Sequence, residues 1–268
     1  MVQNDAVFVG SIPQLYDDNV GPTFMVPYAS DIASRLTHLQ TGRLLEVAAG
    51  TGIVTAALAA ALPRVEITAT DLNQPMLDRA STKAELHGVI LRQADALDLP
   101  FDDASFNAVV CQFGVMFFPD KAAAFREVRR VLRPGGHFVF NVWDSVEDNP
   151  VVAALLAGLR RWCPDQPSWF MERTPCGYRD PTILRADLVA GGFADCQIEK
   201  VVLRGHAASP MAVAVGLCQG SPMRAEIEAL DSTGLQEATQ AAANAIAESF
   251  GNGTFEASLA ALVIETRR

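Results

Sequence analysis

LLEVAAGTGIVT, residues Leu44 to Thr55, is the stretch on which the reading of this 268-residue chain turns. An apolar run ends in Glu46-x-Ala48-x-Gly50-Thr51-Gly52 and passes straight into a helical pattern. Leu44, Leu45 and Val47 supply a short buried strand, whereas Ala48, Gly50 and Gly52 remove the side chains that would hold a bound molecule off the backbone. Beyond the turn, Ile53 to Leu62 reads as a helix closed by Pro63, and its first N–H groups point into the space above the strand. A cofactor carrying a carboxylate fits there.

Two glycine-rich turns follow strands in this way. The dinucleotide fingerprint G-x-G-x-x-G uses its third glycine for close packing of helix on sheet, and here Thr55 stands in that place. The rest of the chain decides between them. At 268 residues it can bury one large core with a small cap. Half the residues are hydrophobic and 19% are charged, as in soluble globular proteins. A net charge of -10 argues against nucleic acid, whose phosphates demand a basic surface, so a small-molecule partner is expected.

The N-terminus MVQNDAVFVGSIPQLYDD lacks the basic start and apolar centre of an export signal, and the longest uncharged stretch, Gly205 to Met223, is broken by glycines and prolines. No membrane span is expected. Five cysteines, Cys111, Cys163, Cys176, Cys196 and Cys218, form no C-x-x-C pair and are odd in number, which points to reduced thiols in a cytoplasm. The oligomeric state stays open.

After the first helix, Val65 to Asp71 is a β-branched run ending in an acid, followed by a helical stretch to about Leu86. Val89 to Asp95, Phe106 to Gln112 and Gly136 to Trp143 continue the series, with a helix over Lys121 to Leu132. Such repeats predict an α/β fold: a Rossmann-like, seven-stranded, mostly parallel sheet sandwiched by helices. Past Trp143 helical stretches alternate with strands at Ile198 to Arg204 and Leu259 to Thr266. The expected organisation of 1–268 is a single domain: an N-terminal cover over 1–40, a cofactor-binding core over 41–144, and helical insertions over 145–197 and 207–255 forming an acceptor lid.

Ligands of open parallel sheets sit beyond the carboxyl ends of the strands, so the residues there are the site candidates. The first strand offers Gly50-Thr51-Gly52, the second ends at Asp71 followed by Leu72, the third at Asp95-Ala96 and the fourth at Gln112. Asp71 lies about 20 residues past the glycine turn, the spacing at which an acid reaches ribose hydroxyls. Its competing role is a helix cap, with Gln74 three positions on. Asp95 can accept from an adenine amino group while the Ala96 N–H donates to a ring nitrogen; its competing role is a turn residue leading to Asp98 and Pro100.

The acidic-x-small-x-Gly-x-Gly turn, LPFDDASFNAVVCQFGVMFFPD (Leu99 to Asp120) and FREVRRVLRPGGHFVFNVW (Phe125 to Trp143) together resemble the class I S-adenosylmethionine (SAM) dependent methyltransferases, in the type 11 branch that includes ubiquinone and menaquinone C-methyltransferases. The likeness covers about Tyr16 to Trp143 well and weakens beyond. It implies SAM as cofactor and S-adenosylhomocysteine as product. It also implies cofactor contacts from Tyr16, Glu46, Ala48, Met76 and Gln112, with ordinary core packing the alternative for Met76 and a hydrophobic clasp of Tyr16, Phe24 and Tyr28 the alternative for Tyr16. The late helical segments carry Trp162, Trp169, Phe170, Met171, Met211, Leu217 and Met223, which favours a small, apolar or aromatic methyl acceptor, with a packed helical core the alternative. The family's usual Asp is Glu46 here, and Ala48-Ala49 replaces its Gly-Cys or similar pair. The longer acid can still reach the methionine ammonium.

SAM carries an electrophilic methyl group, so positioning outweighs base catalysis: orientation supplies up to about 7–11 kcal/mol, a general base only ~10²–10⁴ in rate. Of His38, His87, His137 and His206, only His206, placed just after the sixth strand, could face the pocket as a base, against the alternative of an exposed or hydrogen-bonded histidine. No metal-ligand spacing is present, so metal-independent transfer is expected. A non-catalytic SAM-binding protein and an NAD(P)-dependent oxidoreductase are the competing readings.

Overall fold

The computed structural model describes residues 5–268, so the first four residues of the expected N-terminal cover lie outside the described residues. Seven strands form one sheet: β1 (Gly42–Val47), β2 (Val65–Asp71), β3 (Ile90–Gln93), β4 (Phe106–Gln112), β5 (Leu132–Trp143), β6 (Cys196–Ala207) and β7 (Phe255–Arg267). Their order is β3-β2-β1-β4-β5-β7-β6. Neighbours from β3 through β5 run parallel, and β7 lies antiparallel on β5 with Phe138 opposite Thr266. This is the mostly parallel α/β sheet that the alternation of apolar runs and helical patterns predicts.

The longer α-helices are α1 (Val26–Arg35), α2 (Ile53–Ala61), α3 (Gln74–Ser81), α4 (Lys121–Val131), α5 (Pro150–Trp162), α6 (Pro181–Ala190), α7 (Pro210–Gln219), α8 (Met223–Leu230) and α9 (Leu235–Phe250). A π-helical stretch, Tyr16–Met25, precedes α1. The chain divides into two compact units. One holds Tyr28–Trp143, Tyr178–Val201 and Ala261–Arg268; the other holds the residues up to Pro27, Asp144–Gly177 and Val202–Ala260.

In the first unit, both faces of the sheet are covered by helices whose sequence dictates the buried stripe. Ile32 and Leu36 from the α1 segment and Val54 and Leu58 from α2 pack on Leu44, Ile67, Val110 and Val139. The opposite face is aromatic, with Phe125 of α4 5.8 Å from Phe138 and 5.5 Å from Phe140 between ring centroids. α4 starts where the Asp120 carboxylate accepts the Ala123 N–H at 2.8 Å, and it buries Ala124, Phe125, Val128 and Val131, one helical stripe. Arg129 and Arg130 in its last turn oppose the negative end of the helix dipole.

The second unit is mainly helical. α5 meets α9 at Gly158, where a Cβ would lie 2.4 Å from the Ala241 carbonyl oxygen, so only glycine permits the approach. Asn149 closes the entry to α5 by donating to the carbonyls of Ser145 and Ala260 and accepting the Ala260 N–H.

Several boundaries differ from the sequence expectation for physical reasons. The long helical stretch over Ala212 to Phe250 is three helices, interrupted at Gly220–Pro222 and again where Asp231 caps the Thr233 N–H in a turn. β3 stops at Gln93 because Asp95 turns the chain, its carboxylate accepting the Leu97 N–H at 2.9 Å. β6 runs on to Ala207, so His206 lies inside that strand and not after it. Among the described residues no helix is long and apolar enough to cross a membrane.

Candidate cofactor site

The rim formed by the carboxyl ends of β1, β2 and β4 gathers nearly all the predicted cofactor residues within the first unit. β1 ends in a turn with three left-handed residues, Ala48 (φ 56°), Gly50 (φ 57°) and Gly52 (φ 79°). Gly52 is doubly required, because a Cβ there would also lie 2.5 Å from Leu86 Cδ1. At Gly50 the only atom within 4 Å of an added Cβ is Met76 Cε at 3.5 Å, so open space lies beside that backbone. The turn delivers α2 with no side chain capping its N-terminus.

Asp71 ties this turn to the next strand. One carboxylate oxygen accepts the Gly50 N–H and the other the Asn73 N–H, each at 2.8 Å. Burial pushes the Asp71 carboxyl upward, and the two backbone donors oppose that shift. Asp71 does not cap the following helix: α3 begins at Gln74 with Asn73 as its N-cap, and the Asp71 carboxylate instead bonds the Asn73 N–H as a turn residue and the Gly50 N–H of the glycine turn. Leu72 follows with 52% of its surface exposed, an apolar side chain left uncovered next to a buried acid. The β3 end joins this rim through the Ala94 N–H, which donates to the Asp71 carbonyl at 3.0 Å, and through Gln93 Nε2 on the Leu72 carbonyl at 2.8 Å. Asp95 is exposed and Ala96 buried.

Glu46 lies beneath the turn with 1% exposure. Its carboxylate accepts the Thr55 hydroxyl at 2.6 Å, so the residue replacing the third glycine of a dinucleotide motif holds the β1 acid. Burial pushes the Glu46 carboxyl up to about 8; the Thr55 hydrogen bond opposes the shift and the nearby Asp71 adds to it. Gln112, at the end of β4, is buried and pairs in register with Asn141 of β5.

Two predicted residues are carried by the second unit. Tyr16 is one, and its ring sits edge-on to Phe8 at 6.2 Å. His206 also belongs there; its side chain is 74% exposed, and Nδ1 lies 3.3 Å from a Glu256 carboxylate oxygen, the exposed and bonded histidine of the alternative reading. The His38 and His137 rings lie 4.4 Å apart between centroids, tilted by 40°. Among the described residues no group of three or more His, Cys, Asp or Glu side chains is arranged to hold a metal.

Two residues beside the site, Phe113 and Asn141, were given no role by the sequence reading. Phe113 has a left-handed backbone (φ 50°), and its ring stacks on Trp143 at 3.8 Å with planes 3° apart, while Tyr28 stands edge-on to both. The Phe113 N–H donates to Asn141 Oδ1 at 2.8 Å. The available signal was Asn141, the amide in the apolar run FVFNVW: a buried amide must be spent on something.

This rim coincides with a known sequence family. Residues 45–140 match the methyltransferase domain. Over 109 residues the chain is 44% identical to a demethylmenaquinone methyltransferase of Deinococcus radiodurans, covering 40% of this chain and 45% of that one. The same-named protein of Thermus thermophilus is 43% identical over 99 residues, 36% of this chain and 45% of its own. The chain thus spans less than half the length of these curated relatives. Among solved structures, the YcgJ protein of Bacillus subtilis superposes with a TM-score of 0.57 at 22% identity, over 90% of this chain and 98% of that one. A Haemonchus contortus phosphoethanolamine N-methyltransferase 2, in complex with S-adenosyl-L-methionine, gives 0.60 at 14% identity over 96% and 56%. These likenesses carry the methyltransferase fold across both units, and the family match falls on the strands that build the candidate site.

Proposed function

We propose that the protein is a SAM-dependent methyltransferase acting on a small, planar, quinone-like acceptor. The observation that carries this is the rim in which the Gly50 amide is fixed on the Asp71 carboxylate beside open space. That rim suits SAM. A Cβ at Gly50 would intrude into the space beside the turn, as a cradle for a nucleoside requires. Asp71 Oδ1 accepts the Asn73 N–H and, at 3.4 Å, Asn73 Nδ2, while Oδ2 accepts the Gly50 N–H and retains acceptor capacity for a ribose hydroxyl. Leu72 and Met76 present apolar surface to a purine, with the Asp95-Ala96 backbone at its edge. The α2 N-terminus suits a carboxylate and the buried Glu46 a cation.

When bound, SAM supplies an electrophilic methyl group on a sulfonium. The chain's own contribution is to hold, orient and exclude water. Asp71 and the glycine turn hold the nucleoside end, and Glu46, tied to Thr55 and protonated near neutral pH when no cation faces it, meets the cationic amino acid end by releasing its proton. The stacked Phe113 and Trp143 rings favour a flat acceptor. The names of the Deinococcus and Thermus relatives support a quinone-like acceptor. His206, exposed and paired with Glu256, is not the base in this reading.

Titration calorimetry with SAM, S-adenosylhomocysteine and NAD tests the cofactor, and saturable binding of NAD without SAM overturns the reading. Transfer of radiolabelled methyl from SAM into a quinone-precursor extract tests the activity. Absence of transfer from a chain that binds SAM would leave a SAM-binding protein without this reaction.

A further inference from the structure

Resting on the reading of the glycine turn as the SAM cradle, we propose that Asn141, acting through Phe113 and Gly114, is a positioning residue for that turn at Ala48. Asn141 is fully buried on β5. Its Oδ1 accepts the Phe113 N–H at 2.8 Å, a donor shared with the Asn141 backbone carbonyl at 3.2 Å, and since only the oxygen of the amide can accept, the side-chain orientation is fixed. Nδ2 then lies buried with no hydrogen-bond partner. An unpaired buried donor costs stability, so an apolar residue would serve the core better unless the oxygen is needed.

What the oxygen holds is a strained corner. The left-handed region crowds the Cβ of any non-glycine residue, and Phe113 sits there at φ 50°. The next residue, Gly114, has an ordinary helical backbone (φ −101°, ψ −35°) that any residue adopts. Space alone demands glycine: a Cβ would lie 2.5 Å from Ala48 Cβ and 2.7 Å from Cys111 Sγ. The corner after β4 therefore presses directly on the first residue of the cofactor turn, which is itself left-handed at φ 56°. Asn141 sets Phe113, Phe113 sets Gly114, and Gly114 fixes how closely Ala48 approaches. The contact runs from the β5 end of the rim, beside the Phe113–Trp143 stack, to the β1 turn.

Calorimetric titration of S-adenosylhomocysteine into the full chain tests this. Asn141→Leu should weaken binding by about tenfold or more, whereas Asn141→Asp, which keeps an acceptor oxygen, should stay within about threefold of wild type. Gly114→Ala should weaken binding by about tenfold, and adding Ala48→Gly should recover at least about threefold of that loss. Adding Cys111→Ala to Gly114→Ala instead relieves the second clash and should recover urea stability without recovering binding. Wild-type affinity in Asn141→Leu, or strict additivity of Ala48→Gly and Gly114→Ala in both binding and unfolding, overturns the proposal. If Asn141→Leu does not fold, the Ala48–Gly114 cycle decides. A wild-type chain that binds no S-adenosylhomocysteine defeats the cofactor reading instead; the cycle is then scored in urea unfolding, where coupling sustains the corner-to-turn contact and additivity overturns it.

Discussion

Replacing Glu46 by Gln should abolish a pH dependence of stability that the wild-type chain carries. Folding takes this carboxyl from the ordinary 4.5 to about 8, chiefly through burial. Between those values the unfolded chain has released the proton and the folded chain retains it. Raising the pH therefore favours unfolding throughout the window, and the loss levels off above about pH 8. At ~1.36 kcal/mol per pH unit over about 3.5 units, Glu46 can account for at most about 5 kcal/mol. Asp71, also shifted upward by burial, adds a slope of the same sign that both chains share. The difference between wild type and Glu46→Gln isolates the one group. Urea unfolding at pH 4.5 should find the two nearly equal, because a protonated carboxyl and an amide have the same shape and both accept from Thr55. At pH 8.5 the variant should be the more stable by several kcal/mol. Midpoints that stay parallel from pH 4.5 to 8.5 would refute the assignment of a buried, protonated Glu46.

Three further outcomes follow from the same geometry. Asp71→Ala should weaken SAM binding by about 1–3 kcal/mol, the cost of losing acceptors for buried hydroxyls; unchanged affinity in a folded variant removes Asp71 from the site. Thr55→Val keeps the shape but deprives Glu46 of its only observed hydroxyl donor; it should destabilise the fold by about 1–3 kcal/mol at neutral pH and move the Glu46 titration higher, both read from pH-resolved urea curves. His206→Ala should leave methyl transfer within about threefold of wild type, since an exposed histidine paired with a surface carboxylate contributes little. A loss of 10²-fold or more, the scale of a missing base, would restore it as a catalytic residue.

The parts of this molecule that were legible in its sequence are those where local pattern and tertiary packing agree. β1, β2 and β4 are apolar or β-branched runs buried between helices, and their ends match the expected positions to within a residue or two. The glycine turn and Asp71 were legible because left-handed backbone and an acid at fixed spacing are local facts. The breaks of the late helical stretch were passed over because the alanine-rich segment Ala238 to Ala247 dominates its helical propensity, although Asp231-Ser232-Thr233-Gly234 carries turn residues and the aspartate spends its carboxylate on the Thr233 N–H. The extent of β6 was equally hidden, since pairing with β7 carries strand structure beyond the apolar core of the segment. Gly114 and Asn141 were missed for a different reason. One is constrained by a residue 66 positions earlier, the other by a backbone group 28 positions away, and neither leaves a periodic trace.

The strand order has a consequence for how the chain is made. β7, the last of the seven to leave the ribosome, takes its place between β5 and β6. Until it is synthesised, β5 exposes an open edge along Phe138, Phe140 and Trp143, and β6 has no sheet neighbour on that side. The parallel core from β3 to β5 can assemble early from contiguous sequence, but it must wait through more than 100 further residues with an unprotected hydrophobic edge. Chains cut short before Phe255 should therefore aggregate, even though every residue of the glycine turn has already been made.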